Sequence, residues 1–291
     1  MIDYRLLEAL AAVIETGGFE RAAEQLHLTQ SAISQRIRQL ETLQGQPVLI
    51  RTQPPVATEL GRRLNNHLQQ VRLLEQDLTQ AEQPLNIRLT ANADSMATWL
   101  PDALGMAESS HRFNFDLIVE DQDIGLKRMR DGEVMACICA QSQSVNGGRV
   151  QALGVLRYRA LASPSFIHRH NLIDNAALAQ APCLIFNHDD RLQHRFLADQ
   201  GHAGPGRVHR CPTSEGFVRM ALAGLGFGMM PELQVTEAIN QGELVDIRQG
   251  YSLDVPLYWH YWQTESDALA ELRHAVTQQA SRVLRPISNW Q

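Results

Sequence analysis

The chain reads as an α/β protein with an all-α winged helix-turn-helix at its N-terminus, a long linker helix, and two α/β subdomains beyond. Three observations predict this class. Up to about Thr58, apolar residues recur at helical spacing in short bursts broken by Gly and Thr; from Glu59 a single thin apolar stripe persists for about six turns. From Pro84, apolar runs of strand length alternate with amphipathic runs of helix length, the pattern of a mainly parallel sheet covered by helices. With 291 residues, 44% of them hydrophobic, the chain can bury two or three such units. The expected divisions are 1–58, 59–83 and 84–291, the last folding as lobe I (about 84–160 with 265–291) and lobe II (about 161–264).

In the first unit, Leu6, Leu7, Leu10, Val13 and Ile14 make one stripe on a helix that Gly17 and Gly18 end. A short helix over "FERAAEQLHL" buries Ala22, Ala23 and Leu26. Thr29 then stands as an N-cap before a third helix, with Ile33, Ile37 and Leu40 on its inner side and Ser31, Ser34, Gln35 and Arg38 on other faces. Helix, turn and helix with a polar outer face is the helix-turn-helix arrangement. Val48 to Ile50 favour a strand, Pro54-Pro55 forces a turn, and Thr58 caps the next helix, which together make the hairpin wing. On that next helix Leu60, Leu64, Leu68, Val71, Leu74 and Leu78 lie three or four apart, so narrow a seam that it predicts dimerisation. The competing reading is a stripe packed on its own domain.

The α/β portion runs as strand "LNIRLTA", loop "NAD", helix "SMATWLPDALGMAES", strand "FNFDLIVED", helix "GLKRMRDGEV" and strand "MACICAQ". The style repeats with "LAQAPCLIFN", helix "LQHRFLAD", strand "RVHRCPTS", helix "EGFVRMALAGLG", strand "VPLYWHYW" and a last amphipathic helix from Ser266. A crossing near Arg157 to Leu161 and a return near Tyr258 to His260 would place two α/β units around a cleft, where open α/β sheets bind ligands.

Composition narrows the function. The formal net charge of -6 does not advertise nucleic-acid binding, so any such role rests on a local surface. No run approaches the ~18 to 20 apolar residues of a membrane span, and Asp3, Arg5, Glu8 and Glu15 interrupt where a secretory signal would be apolar, which points to the cytoplasm. Four scattered cysteines read as reduced thiols, and the Cys137/Cys139 pair as part of a buried strand. His188, Asp189, Asp190 and His194 lack the convergent spacing of a metal site, and "GLGFG" lacks the strand and helix of a dinucleotide fingerprint, so neither a metal nor a cofactor is expected.

The block "FERAAEQLHLTQSAISQRIRQLE", a wing carrying "LIRT", a linker helix and two α/β lobes resemble a LysR-type transcriptional regulator over the whole chain. Within that family, "RTQPP", "NADSMATWLPDAL", "VEDQ" and "LYWH" are similar to the subgroup that senses arginine or lysine and controls basic amino-acid export, labelled chromosome-initiation inhibitor in enteric bacteria. The resemblance implies lobes that are Rossmann-like subdomains of periplasmic-binding-protein type, a double-stranded DNA operator, assembly into homodimers and tetramers, contact with RNA polymerase, and a small effector, L-lysine or L-arginine, in place of any cofactor.

Groove reading needs short donors and acceptors near the start of a recognition helix, which Thr29, Gln30, Ser31, Ser34 and Gln35 supply, with Arg36 and Arg38 behind them. Arg51, Thr52, Arg62 and Arg63 sit where phosphates would flank the wing. For the effector, Asn92, Ala93 and Ser95 open a helix where a carboxylate would be welcome, and Gln141 lies at another strand end. A cationic side chain needs anions, and Asp94, Glu120, Asp121, Asp189 and Asp190 are candidates, with His188 beside them. Thr213, Ser214 and Glu215 could close from the second lobe; Asp94 or Thr213 could equally just cap a helix. A solute-binding or enzymatic α/β protein with an unrelated helical cap is the alternative, although no nucleophile and base are assignable from spacing.

Overall fold

In the computed structural model, which describes residues 3–79, 84–108, 113–120 and 122–287, the chain opens with α1 (Tyr4–Thr16), whose Leu6, Leu7, Leu10 and Val13 are buried. Gly17 ends it at φ 69°, a left-handed turn that glycine adopts without strain. α2 (Phe19–Gln25) leads to α3 (Gln30–Gln44), capped by Thr29, whose hydroxyl oxygen accepts from Ala32 N at 3.2 Å. Ile33, Ile37 and Leu40 point into one small core shared by the three helices. The wing is an antiparallel pair, β1 (Leu49–Ile50) and β2 (Val56–Ala57). Thr58 then accepts from Gly61 N at 3.1 Å and starts α4 (Glu59–Thr79). Wing and helix lie so close that a Cβ on Gly61 would stand 2.0 Å from Val48 O; only glycine permits that approach.

The expected seam on α4 divides in two. Leu64 is 7% exposed and Leu68 3%, and the half-buried Leu60 packs against the same core, so within one chain these three face the N-terminal unit. The reason is proximity: α4 lies along α1, where Gln69 and Arg72 reach Glu15 at 3.3 and 3.9 Å. Val71 is half-buried and Leu74 is 38% exposed, and the side chain of Leu78 lies outside the described residues.

Lobe I begins with β3 (Leu85–Ala91), α5 (Ala93–Thr98), α6 (Leu100–Glu108), β4 (Phe113–Val119), α7 (Gln122–Arg130) and β5 (Ala136–Cys139). The single helix expected over "SMATWLPDALGMAES" breaks at Trp99, because Pro101 has no N–H to give and fits only a first turn. Then come β6 (Gly148–Ala162), α8 (Pro164–His170), α9 (Asn175–Leu178), β7 (Pro182–Ile185), α10 (Leu192–Asp199), β8 (Arg207–Arg210), α11 (Ser214–Leu222), β9 (Gly228–Pro231), α12 (Glu232–Asn240), β10 (Val245–Asp246), β11 (Leu253–Trp262) and α13 (Asp267–Val283).

Parallel pairing holds for β3 with β4 and β5, and for β7 with β8. The long strands differ. β11 runs antiparallel to β5 and β6, and β6 also pairs antiparallel with β9 and β10, so the two lobes share one curled mixed sheet in the order β10-β6-β11-β5-β3-β4. Fifteen residues at roughly 3.3 Å each let β6 serve both lobes. Its far end, Tyr158–Leu161, pairs with β9 where the crossing was expected. The return comes earlier than expected: Tyr258–His260 already pair with β5 inside lobe I, and Asp254, Val255 and Pro256 border the cleft instead. Among the described residues, no helix is long and apolar enough to cross a membrane.

Candidate effector cleft and nucleic-acid face

The outer side of α3 is polar and reachable. Gln30, Ser31, Gln35 and Arg38 are exposed, while Ser34 and Arg36 are half-buried. Thr29 is committed to its capping bond and to Ser31 Oγ at 2.9 Å. Arg36 turns back toward Arg5 O at 3.5 Å. On the wing, Arg51 is exposed and 3.6 Å from Glu41, but the Thr52 hydroxyl donates to Pro54 O at 2.8 Å and so holds the turn. Arg62 is not a phosphate ligand here: its Nε lies 2.7 Å from Asp131 and its Nη1 donates to Ala57 O at 2.9 Å. Arg63 stays exposed.

Between the lobes lies a cleft of ≈ 710 Å³. At its floor Asp94, on the first turn of α5, accepts from the Tyr158 hydroxyl and from Ser214 Oγ, both at 2.6 Å. Tyr158 comes from β6 and Ser214 from α11, so one carboxylate joins both lobes and the crossing strand. Burial raises the Asp94 pKa, and the two hydroxyls partly offset that shift. Burial and the Asp94 charge push Tyr158 well up, which keeps it a donor. Asp190, also raised by burial, accepts from Phe186 N and Leu192 N at 2.9 and 3.0 Å and so shapes the loop before α10. Two acceptors remain unused: Asn92 Oδ1 and Gln193 Oε1 are buried with no hydrogen-bond partner among the described residues, and Gln193 is only 1% exposed. Buried acceptors of this kind cost free energy unless a donor arrives. Asp189 and Arg191 line the rim, with Arg195 further along α10.

Several expected contacts fall elsewhere. Ser95 is fully buried and accepts from the Trp99 indole at 3.1 Å, because the α5 turn that aims Asp94 at the cleft aims Ser95 at the core. Glu120 is held by Arg128 at 2.5 Å. Asp121 lies outside the described residues. Gln141 gives its carbonyl to His260 Nε2 at 2.7 Å, and neither it nor the exposed His188 lines the cleft. Thr213 is exposed at the cap of α11, and Glu215 pairs with Arg219 one turn on, facing solvent. Asn92, Ala93, Asp94, Asp189, Asp190 and Ser214 do converge.

Two family models match the chain: "Bacterial regulatory helix-turn-helix protein, lysR family" over residues 4–62 and "LysR substrate binding domain" over residues 80–281. The chain belongs to the LysR family of transcriptional regulators. This LysR-type chain is 53% identical over 281 residues, 94% of each protein, to the HTH-type transcriptional regulator ArgP of Pseudomonas aeruginosa. In structure it is similar to ArgP from Mycobacterium tuberculosis, with a TM-score of 0.91 at 37% identity over 98% of this chain and 100% of that one. It is also similar to full-length LysG from Corynebacterium glutamicum with bound effector Arg, with a TM-score of 0.82 at 32% identity over 98% and 100% of the two chains. These place it in the ArgP/LysG subgroup, and the match over residues 4–62 sets aside the reading of the N-terminal unit as an unrelated helical cap. What the sequence pattern of this LysR-type regulator does not reveal is the rest of its cleft. Tyr158 sits in a strand of alternating apolar residues, and Gln193 in an amphipathic helix, and nothing in their spacing singles them out.

Proposed function

We propose that the cleft binds a basic amino acid, L-arginine or L-lysine, and that its occupancy controls how the helix-turn-helix engages an operator, in control of an amino-acid exporter or related metabolic genes. One observation carries the effector reading: the cleft presents Asp94, Asp189 and Asp190 together with two unsatisfied buried acceptors, Asn92 Oδ1 and Gln193 Oε1. A guanidinium or ammonium group supplies the donors and charge that this set lacks, and charge-assisted bonds of that kind are the strong ones. Arg191, on the rim, is a counter-charge for the effector carboxylate. A cleft of this size suits a ligand of amino-acid dimensions. The bound arginine of the LysG neighbour supports the same reading.

On the DNA side, Gln30, Ser31, Ser34, Gln35 and Arg38 read base edges while Arg51 and Arg63 neutralise phosphates. The exposed far half of α4, with Leu74, serves self-association into dimers and tetramers, and RNA polymerase is a further partner at the promoter. The test has two arms. Isothermal titration of the full chain with L-arginine and L-lysine is expected to give saturable heats, and flat traces for both would overturn the effector reading. The S34A/R38A double variant is expected to lose operator binding by roughly 1–3 kcal/mol per base contact in gel shifts with competitor DNA; wild-type affinity would overturn the assigned DNA face.

A further inference from the structure

α7 touches both functional parts of the molecule. At its first turn Ile124 lines the effector cleft. Just past its last turn, Asp131 lies 2.7 Å from Arg62 on the first turns of α4. The next residue, Gly132, turns at φ +75° and presses its backbone on α4 so closely that a Cβ would fall 2.7 Å from Asn66 Cβ. Seven residues, from Ile124 to Asp131, at ~1.5 Å each separate the two contacts by about 10 Å along the helix axis.

That helix is braced to move as one piece. Arg128, in its last turn, donates from Nε to Glu120, which precedes α7, at 2.8 Å, and from Nη1 to Glu133, which follows it, at 2.6 Å. One guanidinium thus ties both ends. Underneath, α7 rides close to the sheet: a Cβ on Gly125 would meet Cys137 Sγ at 2.8 Å and Thr90 Oγ1 at 2.9 Å. Leu126 and Met129 fill a small cluster with Cys137, Cys139 and Trp262. The receiving end is equally firm. Arg62 also donates to Ala57 O in the wing at 2.9 Å, and Thr58, at the start of α4, donates to Pro47 O at 2.9 Å.

We propose that α7 is a lever and the Arg62–Asp131 pair with the Gly132–Asn66 contact its latch, by which movement at the effector cleft reaches the wing within a single chain. A shift of Ile124 displaces Asp131 because the braced helix does not bend, and Arg62 carries the displacement to Ala57. Coupling then needs no contact between protomers. The direction of signalling rests on the effector reading above; the existence of the latch does not.

Hydrogen exchange on the full-length protein separates the two. Without ligand, D131N is expected to exchange the amides of residues 57–66 at least tenfold faster than wild type, with D131E restoring protection. With L-arginine, wild type is expected to change in protection at residues 92–96 and at 57–66, and D131N at 92–96 alone. Arginine binding by D131N is expected to match wild type in calorimetry, since Asp131 is not a cleft residue. Equal ligand-free exchange in D131N and wild type, or an arginine response that reaches residues 57–66 in both, would overturn the latch. No protection of residues 92–96 in wild type would overturn the effector reading and the direction of signalling, and the ligand-free comparison would still decide whether the latch exists.

Discussion

Asp94 concentrates the chemistry of the cleft in one carboxylate. Its oxygens take hydroxyl protons from Tyr158 and Ser214, yet burial still raises its pKa above the ordinary 3.8. A raised carboxylate stabilises the empty protein at low pH, and that contribution is lost as pH rises through the folded-state value. A cation placed beside it lowers the pKa again. Binding of L-arginine is therefore expected to release a proton in the acidic range above 3.8 and to tighten as pH rises there. Calorimetry in buffers of different ionisation enthalpy checks this: D94N should bind more weakly and with a smaller buffer dependence, the remainder coming from Asp190, whose pKa burial also raises, and a buffer dependence equal to wild type would remove Asp94 from the role. Asp94 was legible in the sequence because it follows a strand and opens a helix. Its neighbour Ser95 shares that signal but not the role, since successive helix residues point about 100° apart.

At the scale of elements, the linker helix shows what periodicity can and cannot say. Six apolar residues at helical spacing establish that α4 has one buried stripe; they do not say against what. Leu64 and Leu68 meet the α1 core first, because the capping turn at Thr58 folds α4 back along α1. L68A is thus expected to cost about 2–5 kcal/mol of folding stability in the N-terminal unit, as buried leucines do. Urea denaturation with sedimentation in parallel distinguishes the readings: loss of the oligomer with unchanged stability would return Leu68 to the dimer seam. On α3 the assignment was simpler. Ile33, Ile37 and Leu40 are the only strongly apolar stripe near its start, so the opposite face had to be the outer one.

For the whole molecule, the two lobes are joined by the long crossing strands and by Asp94 receiving Ser214 across the cleft. Hydrogen bonds to charged groups contribute about 1.5–3 kcal/mol. S214A, which loses this clasp, is expected to weaken L-arginine binding about tenfold, the lower end of that range. An unchanged Kd in titration would show that closure does not depend on the bond. The sequence alone determined the helix-turn-helix, its outer face, the α/β alternation and the family, because these are written in local periodicity, caps and motifs. Only the tertiary structure decided that β6 and β11 run antiparallel through both lobes, that Tyr158 and Gln193 join Asp94, that Glu120 and Arg62 are occupied, and that α7 reaches α4. Those outcomes depend on contacts between residues far apart in the chain, such as Asp94 with Ser214 and Arg62 with Asp131, and no local pattern encodes a distance between distant segments.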